Sequence, residues 1–155
     1  MPEPQRSQPT LFRRLHHVCI VVHDIAAAEA YYASVGIGPW HDYPPLDQYT
    51  ELDVPSREGF MGMKYRYADI DNMQIQLCQP PLVDCPQRRF LDEKGEGVFH
   101  LGFEVPDLAA AERQAAAVDT LPLMRGRRDN GSGFTYFDTA HAAGVVLEVR
   151  KSADV

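Results

Sequence analysis

One stretch of this chain is written twice. LHHVCIVVHDIAAAEAYYASVG begins at Leu15, VFHLGFEVPDLAAAERQAAAVD begins at Val98, and a slide of 83 residues superposes them without a gap. Nine of the 22 positions are identical, among them His17 with His100, Asp24 with Asp107, the AAAE run and Val35 with Val118. Alanine-rich helices match by composition alone. A matched His in the apolar run before them, and a matched Asp, do not. A repeated unit of this kind buries its apolar face against its twin, so the chain is constrained to a paired architecture.

Each copy opens with an apolar strand, expected over 15–22 and 98–105. Asp24 and Asp107 stand where a helix N-cap belongs, with a carboxylate able to accept from the free N–H groups of the first turn. Helices are expected over 25–35 and 108–118, the first stopped by Gly36. IGPWHDYPPLDQ then reads as a turn-rich aromatic loop, and YTELDV, FMGMKYRYA and NMQIQLC as three strands. RRFLDEKGEG reads as a short helix and linker. LPLMRG, GFTYFDT and GVVLEVRK read as three shorter strands. Each half is therefore βαβββ, and the expected class is α+β: paired βαβββ modules that form one open, barrel-like curved sheet with helices outside. The expected division is a flexible arm over 1–12, a first module over 13–80, a linker over 81–96 and a second module over 97–151.

The chain has 155 residues, with 15 Lys plus Arg against 22 Asp plus Glu, a net charge of −7. That balance argues against nucleic acid as the partner, because phosphate binding needs a basic face. Arg88 with Arg89, and Arg125 with Arg127 and Arg128, read first as solvated surface groups. No apolar run approaches the ~20 residues of a membrane span, so no membrane partner is expected. The N-terminal MPEPQRSQPTLFRR lacks the apolar core of a secretory signal. Cys19, Cys78 and Cys85 are odd in number and form no CxxC pair, which fits a reducing, cytoplasmic compartment.

Strand alternation gathers the chemistry. His17, Cys19 and Val21 share one face of the first strand; His100, Gly102 and Glu104 share the matching face in the second copy. Gln76 lies between Ile75 and Leu77, and Glu148 between Leu147 and Val149, so these polar side chains point away from the face their neighbours bury. Two imidazoles, one amide oxygen and one carboxylate are a mixed N/O set suited to a six-coordinate divalent ion with open positions. His17, Gln76, His100 and Glu148 are the candidate ligands. His16 is expected to face the other way. Glu104 is a candidate for orienting His100 or for acting as a base. Trp40, His41, Tyr43 and Tyr49 line either a substrate mouth or a packed surface loop. Tyr136 is pocket or core, and Met61 and Met63 are core.

LHHVCIVVHDI, IQLCQP, GEGVFHLGFEVPDL and GVVLEV, in this order, resemble the vicinal oxygen chelate superfamily, and within it methylmalonyl-CoA epimerase-like proteins. The likeness covers about residues 13–150. It implies that His17, Gln76, His100 and Glu148 hold one divalent ion (Co, Mn, Ni, Zn, Mg or Fe). It also implies an epimerase or isomerase acting at a carbon next to a carbonyl, on an acyl-CoA or a 2-oxo compound. Glu148 is then both ligand and candidate base. Glu58, in Ser56-Arg57-Glu58-Gly59, stands one position from the family's glutamate and is the second candidate base. A homodimer is implied by the same likeness. The alternatives are a lyase or an Fe(II)-dependent dioxygenase on the same scaffold, or a small-molecule-binding homologue without activity.

Overall fold

A computed structural model describes residues 9–153. The strands β1 (Leu15–Val21) and β6 (Gly97–Glu104) are the repeated strands, and they pair antiparallel at the join between the two halves. Their register obeys the repeat. Leu15 faces Phe103 while Ile20 faces Val98, and His17 faces Gly102 while Cys19 faces His100. Adding 83 to one member of each pair gives the other pair, the mark of a near-twofold relation. The helices after these strands are α1 (Ile25–Ser34) and α4 (Leu108–Ala116). Asp24 and Asp107 cap them as expected, accepting from Ala27 N at 3.1 Å and Ala110 N at 3.0 Å. Gly36 takes φ +93° after α1, a conformation that glycine adopts without strain.

The first half adds β2 (His41–Asp42), β4 (Lys64–Ile70) and β5 (Met73–Gln79). The second adds β7 (Pro122–Arg127), β8 (Gly133–Phe137) and β9 (Val146–Lys151). The sheet runs β2-β4-β5-β1 and on through β6-β9-β8-β7, the same order read outward from the join in both directions. β5 is parallel to β1 and β9 is parallel to β6. One further strand, β3 (Glu51–Asp53), ends the sheet.

Here the structure corrects the expected strands of the first half. YTELDV does form a strand, but it crosses over to pair with β7 of the second half, Leu52 opposite Gly126. The first half's own edge strand is His41–Asp42, inside the stretch expected to be loop, paired with Tyr67 and Arg66. FMGM is not strand. Ser56 Oγ accepts from Gly59 N at 2.9 Å and caps a short helix, α2 (Arg57–Met61), so β4 begins only at Lys64. The helix expected in the linker is α3 (Pro86–Lys94), and α5 (Ala140–Ala143) fills the turn between β8 and β9.

Two apolar clusters sandwich the sheet. Cys19, Val21, Cys78, Met124, Phe134, Tyr136 and Val146 lie on the inner face with Phe60 and Met63. Val105, Leu108, Ala111, Ala115, Phe137 and Val149 join α4 to the outer face of the second half. Residues 1–8 of the expected N-terminal arm lie outside the described residues. The end of that segment is packed, with Leu11 4% exposed in the outer cluster and Phe12 against it. The three cysteines are free and buried. Among the described residues no helix is long and apolar enough to cross a membrane.

Candidate metal centre

Strand pairing carries the candidate ligand residues to one place. β1 sets His17 opposite Gly102, and a Cβ built on Gly102 would fall inside the His17 ring, so only glycine leaves the imidazole its space. β6 then sets Gly102 beside Glu148 of β9. His17 Nε2 lies 2.9 Å from His100 Nε2, His100 Nε2 lies 3.0 Å from Glu148 Oε2, and His17 Nε2 lies 3.6 Å from Glu148 Oε1. The three residues are buried, and their donor atoms all lie within 4.8 Å of one another.

This donor set fits a cation. Adjacent ligands of an octahedral ion, each ~2.1 Å from it, stand roughly 3 Å apart. Two ring nitrogens aimed at each other and at a carboxylate share one proton poorly and one cation well. Burial alone would raise the Glu148 carboxyl, but His100 and His17 beside it outweigh that and hold it below the usual carboxylate range. Burial pushes His100 down, against the pull of Glu148, toward the neutral ring whose lone pair a cation needs.

Gln76 is the repeat's counterpart of Glu148. It faces Cys19 across β1–β5, as Glu148 faces Gly102 across β6–β9. Gln76 is 4% exposed, and its Nε2 donates to Gln74 Oε1 at 2.7 Å, which leaves the amide oxygen as the end suited to an ion. Glu58 is exposed on the first turn of α2, two residues before Phe60 of the cavity beside Glu148. Glu104 is tied elsewhere. It pairs with Arg150 at 2.9 Å and accepts from Ser152 N and Oγ, both at 2.8 Å.

His16 does not face away from the site. Its Nδ1 lies 2.8 Å from Nδ1 of His17. A β-bulge between Leu15 and His17 makes His16 the extra residue of β1 and breaks the alternation that the expected orientation relied on. Burial, with the charges of Arg150 and His17, pushes His16 down to about 4, so it is a neutral acceptor. A His17 ring that gives Nε2 to an ion carries its proton on Nδ1 and donates it to His16, which fixes the tautomer.

Beside Glu148 lies a cavity of about 30 Å³, walled by Tyr43, Tyr49, Tyr65 and Tyr136, with Arg128 at its edge. Tyr43 of the aromatic loop and Tyr49 just after it therefore reach the site. Trp40 packs on Tyr32 and His41 on Tyr67 instead. Tyr136 is both wall and core, its ring 4.7 Å from that of His100. Burial raises Tyr43, Tyr65 and Tyr136, and lifts Tyr49 to about 12, so these phenols stay protonated.

Residues 16–137 match the model of the Glyoxalase/Bleomycin resistance protein/Dioxygenase superfamily. The chain belongs to that superfamily. An ethylmalonyl-CoA/methylmalonyl-CoA epimerase of Cereibacter sphaeroides is 30% identical over 99 residues, 63% of this chain and 65% of that protein. The uncharacterised protein YqjC of Bacillus subtilis is 22% identical over 142 residues, 88% of this chain and 90% of that one. Among solved structures, methylmalonyl-CoA epimerase from Mycobacterium tuberculosis superposes with a TM-score of 0.73 at 24% identity, covering 97% of this chain and 95% of the other. A Streptomyces coelicolor methylmalonyl-CoA epimerase variant in complex with 2-nitronate-propionyl-CoA gives 0.70 at 24% identity, covering 94% and 100%. These structural likenesses establish the shared paired-module fold.

Proposed function

We propose that this member of the superfamily is a metal-dependent epimerase or isomerase acting at the carbon next to a thioester carbonyl, of the methylmalonyl-CoA epimerase type. The observation that carries the reading is the convergence of His17, His100 and Glu148 on one buried point. With Gln76, they are the residues that would hold a divalent ion. Such an ion acts as a Lewis acid that stabilises negative charge growing on a carbonyl oxygen.

The chain's own groups supply the rest. Glu148 is ionised and buried, with a carboxylate oxygen able to take a proton from carbon and return it. The tyrosines around it stay protonated and do not compete as bases. They shield the proton from bulk water. Glu58 is the second carboxylate proposed to act, from the first turn of α2. A cavity of about 30 Å³ holds one or two waters, so binding an acyl group there requires the segment carrying Tyr43 and Tyr49 to move. A homodimer is part of the proposal. α1 buries none of its residues, and Tyr31 on it and Val35 at its end are exposed, an apolar surface a second copy would cover. Three free buried cysteines fit a cytoplasmic setting.

A second reading keeps the same trio. Two His and one Glu are also the donor set of Fe(II) oxygenases, so a dioxygenase or lyase uses the site equally well. The deciding experiment incubates metal-loaded protein with methylmalonyl-CoA in deuterium oxide. Deuterium at the carbon between the two carbonyl groups supports the epimerase. Oxygen uptake or C–C cleavage without that exchange supports the second reading.

A further inference from the structure

Arg128, Arg150 and Lys151 are the cations of the cavity beside Glu148, and Arg128 differs from the ion-paired arginines. The other paired arginines have carboxylates: Arg66 has Glu29 and Asp42, Arg88 has Asp92, Arg89 has Asp84, Arg125 and Arg127 share Glu112, and Arg150 has Glu104. Arg128 differs. Its Nε and Nη2 are buried and have no hydrogen-bond partner among the described residues. Its Nη1 makes one long bond, 3.4 Å, to Ser132 Oγ.

Strand parity explains its place. Arg125 and Arg127 point outward to Glu112 on α4, while Met124, Gly126 and Arg128 follow the inward face. The guanidinium lies over the Tyr49 ring, 4.2 Å from its centre, which fixes its plane. Nε–H and Nη2–H leave the same edge of a guanidinium in parallel. That edge matches the two oxygens of a carboxylate. Burying such an edge without a partner is costly, which marks it as a place kept for one.

We infer that Arg128 receives a carboxylate of the substrate, and so selects acyl compounds that carry a free carboxylate beside the thioester carbonyl. The inference rests on the reading above for where the carbonyl end sits. Glu148 lines the same cavity and repels a free anion, so the pocket favours a carboxylate on a molecule whose other end is held at the His17–His100–Glu148 point.

The test is calorimetric titration of metal-loaded wild type, Arg128→Met and Arg128→Lys with three probes: methylmalonyl-CoA, propionyl-CoA and free methylmalonate. Propionyl-CoA keeps the thioester and lacks the carboxylate. Arg128→Met should weaken methylmalonyl-CoA by about 10- to 100-fold, the worth of hydrogen bonds to a charged group, and leave propionyl-CoA within about twofold. Arg128→Lys keeps the charge without the two-pronged edge and should fall between; it decides the matter if the Met variant does not fold. Equal losses for the two thioesters, or no loss for either, overturn the inference. If wild type binds neither thioester but binds methylmalonate in an Arg128-dependent way, the carboxylate site stands and the thioester reading falls. Methylmalonate binding indifferent to Arg128, or no binding of any probe to wild type, removes the site.

Discussion

The two copies part company at the residue before each candidate ligand histidine. Both strands carry a β-bulge there, His16 in β1 and Phe99 in β6, positions related by the repeat. His16 turns its Nδ1 to His17 at 2.8 Å. Phe99 packs its ring 5.9 Å from that of His100, and His100 Nδ1 is buried without a partner among the described residues. The same backbone device thus holds one imidazole by a hydrogen bond and the other by aromatic packing. The second difference lies one strand further out, where Gln76 of the first copy answers Glu148 of the second. Duplication supplies a symmetric cradle, and single substitutions divide the labour. The second copy brings the charged candidate ligand, Glu148, and the first its uncharged counterpart, Gln76.

The halves also differ in how their helices pack. α4 buries Leu108, Ala111 and Ala115, while α1 buries nothing. Glu29 and Glu112 are repeat-related, and each binds arginine. Glu112 is enclosed by Arg125, Arg127 and Thr135, whereas Glu29 meets Arg66 nearer the surface.

Removing either imidazole should have the largest effect on this arrangement. His17→Ala and His100→Ala should each lose metal affinity by more than about 10²-fold in cobalt titrations, beyond the usual range for an outer partner. Unchanged affinity in either would take that residue out of the centre. Next comes His16→Phe, which makes the first copy's bulge resemble the second's. It removes the acceptor that orients His17, so metal affinity should fall about 10- to 100-fold while the fold survives. An affinity equal to wild type would show that packing alone suffices in both copies.

The smallest effect separates the two helices. Burial would raise the Glu112 carboxyl, but Thr135, Arg127 and Arg125 outweigh it and hold it below the usual range. A carboxyl lowered by folding contributes stability above its unfolded value, roughly 4.3, and loses it as pH falls through the folded one. Glu112→Gln should therefore lower the melting temperature at pH 7, and the gap to wild type should close between about pH 5 and 3. Glu29→Gln should shift it less, since exposed pairs are worth little. Equal shifts would deny the asymmetry.

Much of this was legible from residues alone. A repeat and period-two alternation were enough to gather His17, His100, Gln76 and Glu148 on one face, because a side chain's face follows from its parity. Parity fails where a residue is inserted, which is why it puts His16 on the wrong side. It was available for Arg128, two residues beyond Gly126 on the inward series, but a run of arginines reads as surface. The pattern of YTELDV marks β3 as a strand but not its place beside β7, since pairing across halves leaves no local pattern. Ser56 capping a short helix overrode the strand propensity of FMGM.

The central claim is that one copy's carboxylate does the chemistry within a cradle both copies build. Glu148→Gln tests it, because it makes the second candidate ligand of each half the same: an amide opposite an amide. The paired measurement is metal content and turnover of methylmalonyl-CoA on wild type and Glu148→Gln, with melting temperature alongside. Metal should be largely retained, and turnover should fall by at least about 10²–10⁴, the worth of positioned acid–base catalysis. Turnover that survives with metal bound would contradict the account and pass the proton to another carboxylate, Glu58 first.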